Sequence, residues 1–174
     1  MHVRWLVPIG MGAACVVQSA HATQYLTVEQ AQRAAFPTAT AFVPIRPNLG
    51  AAELGAPRGW SPHVWQARNG DESLGWFFAD AVIGKSELIN YSLSVDTRGA
   101  VIALEVLEYR EAHGGEVRLA PWRKQFVGKT SHDPVALNHD IKNISGATLS
   151  CRHLTEGVQR LLKLQEHVLA KVAG

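Results

Sequence analysis

The chain has 174 residues, with 17 Lys and Arg against 15 Asp and Glu, a formal charge of +2. That length suits one domain with a processed end rather than two large domains, and so small a basic excess argues against a nucleic-acid partner. Apolar residues at 47% and charged residues at 18% are a globular balance, and two cysteines exclude a disulfide framework and a four-cysteine zinc site.

Residues 1–22 read as a secretory signal peptide. Arg4 supplies the positive start, an uncharged apolar run follows from Trp5 to Val17, and Ala20-His21-Ala22 gives the small-x-small site that signal peptidase accepts. The run is shorter than the roughly 20 residues a membrane-spanning helix needs. Cys15 follows Ala13-Ala14, but Gly12 stands where a lipidated leader usually carries Leu, so lipidation is not expected. Cleavage after Ala22 predicts a periplasmic chain with Cys151 as its single thiol and no intrachain disulfide.

The next signal is a helix from Thr27 to Phe36. Thr27 and Gln30 have the spacing of a capping box, Val28, Ala31 and Ala35 share a stripe, and Pro37 ends the run. Pro37, Pro44, Pro47, Pro57 and Pro62, with Gly50, Gly55 and Gly59, then predict loop and extended chain, with a short strand at Val64 to Ala67. Residues 23–84 read together as a lead-in segment. Gly75 to Ile83 is an apolar run expected as a strand buried on both faces. Ile89, Tyr91, Leu93 and Val95 alternate with Asn90, Ser92, Ser94 and Asp96, the period of a strand. Asp96-Thr97-Arg98-Gly99 is a turn, and Ala100 to Tyr109 completes an antiparallel hairpin.

Gly114 and Gly115 break the chain, Pro121 to Phe126 suits a short helical turn, and residues 128–143 are polar and irregular. From about Ser150 to Val172 the chain predicts a long helix, with Leu154, Val158, Leu161, Leu162, Leu169 and Val172 mainly on one face. The order predicts an α+β fold: a mostly antiparallel sheet with a long C-terminal helix and a short N-terminal helix.

Ser145-Gly146-Ala147-Thr148 stands just before that helix and has two readings. In one it is a plain loop-to-helix junction, with Thr148 or Ser150 as the N-cap. In the other it is an anion site. Unpaired N–H groups and a partial positive charge at a helix start favour a phosphate, Gly146 and Ala147 let it approach the backbone, and Thr148 supplies a hydroxyl for a phosphoester.

The run Asp140-Ile141-Lys142-Asn143-Ile144-Ser145-Gly146-Ala147-Thr148-Leu149-Ser150 resembles the flavin-attachment motif of the FMN-binding domain family. That family includes flavin-carrying subunits of ion-pumping NADH:quinone and ferredoxin-linked oxidoreductases, and stand-alone exported flavoproteins. The hairpin from Leu93 to Tyr109, the polar turn after it and the last helix match the family's order, so the resemblance places an FMN-binding domain at residues 85–170. It implies FMN as cofactor, joined to Thr148 through a phosphoester by a flavin transferase that uses FAD as donor. It also implies electron transfer with a membrane redox partner, rather than stand-alone substrate conversion.

By the same resemblance Ser145, Gly146, Ala147, Leu149, Ser150 and Asp140 are expected among the cofactor-binding residues, with transferase recognition as the other role open to Asp140. Trp122 is a candidate to pack on the isoalloxazine ring, or a core residue. Arg110 and Glu111 either bond the flavin's polar edge or pair with each other at the surface. One position departs from the family: an acid is common six residues before the attachment Thr, and Lys142 stands there. It supports the alternative of a non-covalent or flavin-free accessory module of a membrane complex. Cys151 reads as a buried, inert thiol, although a helix start can lower a thiol pKa. The histidines form no metal or haem motif, so no metal is expected and most read as surface residues.

Overall fold

The computed structural model describes residues 23–47 and 54–169; the predicted signal peptide and the expected helix end at residues 170–172 lie outside them. The alternating runs in the middle of the chain fold as antiparallel sheet. Six strands make it: β1 (Thr23–Gln24), β2 (Ala41–Ile45), β3 (His63–Asn69), β4 (Glu72–Ile83), β5 (Leu88–Asp96) and β6 (Val101–Tyr109). From β2 to β6 each strand lies antiparallel to the one before it, and β1 adds to the outer edge of β6. Helix α1 (Val28–Ala35) packs on one face. The long helix α3 (Thr148–Leu164) packs on the other, beside short α2 (Ala120–Arg123), and continues as a π turn over Gln165–Leu169. The α+β class expected from the element order is the observed one.

The two faces explain the sequence patterns. In β4, Trp76, Phe78 and Val82 enter the core under α3, while Phe77 and Ala79 enter the core under α1 with Ala31 and Phe36. Both faces are covered, so the run Gly75 to Ile83 shows little alternation. In β5 the four alternating apolar residues, Ile89, Tyr91, Leu93 and Val95, are fully buried toward α3. The capping box of α1 forms as expected: Thr27 Oγ1 accepts from Gln30 N–H at 3.2 Å, and Gln30 Oε1 accepts from Thr27 N–H at 2.8 Å.

Two elements differ from expectation. The breaker-rich stretch contains β2, with Pro44 paired to Trp65. β2 is an edge strand, so the N–H that proline lacks is not needed by a further neighbour. The last helix starts at Thr148, two residues before Ser150, because the chain turns at Ile144–Ala147 and enters the helix directly from Ala147.

Candidate functional site

The turn into α3 depends on one glycine. Ala147 N–H donates to Ile144 C=O at 3.0 Å, and Gly146, third in this turn, has a φ of +87° that side-chain-bearing residues rarely adopt. A Cβ placed on Gly146 would meet nothing within 4 Å, so its outer side is open. Ser145 and Gly146 are exposed, Leu149 is 39% exposed, and Thr148 is half-buried.

Neither hydroxyl caps the helix. Ala147 occupies the N-cap position and its methyl offers no acceptor, which corrects the expected Thr148 or Ser150 cap. Ser150 lies within the first turn and faces inward; its Oγ sits 3.1 Å from the Tyr109 hydroxyl, which itself donates to the His113 carbonyl. Gly114 permits this contact, since a Cβ there would come within 2.8 Å of the Tyr109 hydroxyl. Thr148 Oγ1 instead accepts a bond from Asn143 Nδ2 at 3.0 Å. The first N–H groups of α3 therefore have no side-chain cap among the described residues, and they carry the positive end of the helix dipole.

The segment before the turn is anchored from below. Trp122 Nε1 donates to the Lys142 carbonyl at 2.8 Å, Lys142 N–H donates to Gln125 Oε1 at 2.9 Å, and Ile141 is buried. Trp122 is itself buried, edge-on to Phe126 with ring centres 5.1 Å apart. Asp140 holds the preceding loop: its carboxylate accepts from Ala136 N–H at 2.7 Å and Val135 N–H at 3.2 Å, and pairs with Lys129 at 2.8 Å. Burial pushes the Asp140 carboxyl upward, but those bonds and the Lys129 charge outweigh it and hold the group below the usual carboxylate range. The same bonds stabilise Val135 at a φ of +41°, strained for a β-branched residue.

Arg110 and Glu111 do not pair with each other. Arg110 is exposed and pairs with Glu108 at 3.0 Å, and Glu108 also accepts from the Asn90 amide. Glu111 Oε1 collects the backbone N–H groups of Lys85, Ser86 and Glu87 and closes the β4–β5 turn. Burial works against this charge, but the three backbone donors prevail and lower its pKa. Among the described histidines His153 alone is half-buried: its Nδ1 lies 2.5 Å and 2.9 Å from the carbonyls of Ile83 and Gly84. No local pattern marks Asn143, Tyr109 and His153: the Ser150 and Ile83 partners of the last two lie 41 and 70 residues away, and an Asn beside a Thr is common in any loop.

A separate open pocket of about 680 Å³ lies on the α1 side of the sheet, lined in part by Leu26, Val28, Ala79, Leu107 and Glu108. Among the described residues Glu29, Asp80 and Glu108 line it and no Lys or Arg does, so it is a poor seat for a phosphate. The start of α3 fits one better. It offers uncapped N–H donors, an open glycine and a positioned hydroxyl in one place.

Residues 84–163 match the family model for the FMN-binding domain, a little under half of the chain. The match runs from the β4–β5 turn to near the end of α3 and contains the whole motif. No curated protein matches the chain.

Proposed function

Because residues 84–163 are an FMN-binding domain and FMN is its cofactor, we propose that this protein is an exported electron-transfer flavoprotein with FMN joined to Thr148 by a phosphoester. It relays electrons between a membrane donor and an acceptor outside the cytoplasm. The observation that carries this reading is the uncapped start of α3, where the Thr148 hydroxyl is held beside free backbone donors. FMN supplies the redox chemistry, accepting and passing on one or two electrons. The chain's own residues bind and orient. The first N–H groups of α3 hold the phosphate, Gly146 leaves room for it, and Trp122 and Gln125 fix the approach loop. Export rests on the pattern of residues 1–22, and a covalent link would prevent loss of the flavin where free flavin is scarce. A flavin transferase, using FAD, is the partner that installs it.

The test is direct. The mature chain is co-expressed with a flavin transferase, denatured and weighed. The expected result is an FMN adduct on the wild type and none on Thr148→Val. An unmodified wild type, or an adduct that persists in Thr148→Val, overturns the covalent link. Lys142 favours a second reading, reversible binding at the same place: an exposed cation stands where the family commonly carries an acid. Yellow colour lost on denaturation and dialysis would select that reading.

A further inference from the structure

We propose that Asn143 is a positioning residue for flavin attachment, holding the Thr148 oxygen by donating to it both before and after the ester forms. This rests on the attachment reading above. Asn143 Nδ2 lies 3.0 Å from Thr148 Oγ1. A hydroxyl has one proton and two lone pairs, whereas an amide nitrogen only donates. The Asn143 bond therefore occupies one lone pair and leaves the proton and the second lone pair for the incoming reactant.

In the attachment step the Thr148 Oγ1–phosphorus bond forms and a phosphorus–oxygen bond of the FAD pyrophosphate breaks. AMP leaves with that electron pair, and the hydroxyl proton is released. Afterwards Oγ1 carries no proton and can only accept. A neighbour that accepted from Thr148 would lose its bond at this point, but Asn143 keeps its own.

The side chain is exposed, yet the backbone that presents it is fixed. Trp122 and Gln125 bind the two backbone groups of Lys142 just before it, and the Ile144–Ala147 turn closes the segment just after it. Asn143 therefore meets Thr148 without searching, and so little of its surface is buried that its loss costs attachment rather than folding.

Two measurements test this. In the flavin-free protein, the Asn143 side-chain amide resonances should shift on Thr148→Val and stay in place on Thr148→Ser. Resonances indifferent to Thr148→Val overturn the proposal without reference to flavin. The second measurement follows adduct formation by mass in a protein whose wild type takes up FMN. Asn143→Ala should load roughly five- to tenfold more slowly, the worth of about one hydrogen bond, with an unchanged melting temperature. Asn143→Asp has the same shape, lacks the donor and turns a carboxylate toward the phosphate; it should load more slowly still. Wild-type loading rates in both variants overturn the role of Asn143 and leave attachment standing. No adduct on the wild type overturns attachment, and this role with it.

Discussion

Cys151 lies in the first turn of α3 with none of its surface exposed. Two effects compete on its thiol. The positive end of the helix favours the thiolate by about 0.3–1 kcal/mol, under one pKa unit, whereas burial can shift a group by up to roughly 3–5 units the other way. Burial wins here and pushes the thiol up. The nearness to the flavin motif, which invites a redox role, is thus offset by the packing. An alkylating reagent at mildly alkaline pH should leave Cys151 unlabelled in the native protein and label it on unfolding, as read by peptide mass. Rapid native labelling would show that the first turn opens to solvent. Asn143 and Glu111 belong to the same scale. Each acts through its side-chain hydrogen bonds, and each partner is known only when the chain is folded.

At the scale of the element, α3 approaches the sheet at Gly157. Helix propensity alone says that Gly157→Ala should stabilise the protein by up to about 1 kcal/mol. In the fold a Cβ there would lie 2.5 Å from the Tyr91 hydroxyl and 3.0 Å from Val82 Cγ1. Tyr91 cannot retreat easily: it is buried, and its hydroxyl donates to Asp80 at 2.9 Å, which also takes the Trp60 indole N–H at 3.0 Å. Burial, with the Asp80 carboxylate beside it, pushes Tyr91 well above its ordinary pKa and keeps it a donor. Overpacking costs about 1–3 kcal/mol, which exceeds the propensity gain. Gly157→Ala should therefore lower the urea midpoint at an unchanged slope; a raised midpoint would mean that α3 can lift off the sheet at little cost.

Across the described residues, several connections are tied by carboxylates. Asp96 accepts from Arg98 and Ala100 in the β5–β6 turn, Glu111 closes the β4–β5 turn, and Asp133 and Asp140 shape the loop before the motif. All four titrate below the ordinary range. Burial opposes this most at Asp96, Glu111 and Asp140 and is outweighed by their hydrogen bonds, while at Asp133 the Thr130 N–H is the main cause. A carboxylate lowered on folding contributes stability that is complete above its unfolded value, near 4, and is lost as pH falls through the folded value. The melting temperature should hold between about pH 7 and pH 5 and fall below about pH 4. Glu111→Gln should melt lower at neutral pH and lose less on acidification, measured as the difference between neutral and acid melts. An undiminished acid loss in that variant would assign the effect to the other carboxylates. The sheet also joins the two parts of the chain. β3 and β4 precede the matched span, yet Phe77 and Phe78 of β4 reach both cores.

The sequence by itself determined the α+β class, the capping box at Thr27, the β5–β6 hairpin and the stripe of α3. Each follows from a local period or a contact within four residues, which backbone geometry imposes wherever the pattern occurs. The motif at Ser145–Thr148 was legible for the same reason, as four adjacent small residues before a helix. Only the tertiary structure decided that Pro44 lies in an edge strand, that Ala147 rather than a hydroxyl occupies the N-cap, and that Glu111 gathers the turn at residues 85–87. It also brought Trp122 beneath Lys142. These contacts join groups about 20 or more residues apart or depend on a turn angle, and no local pattern encodes which distant group arrives.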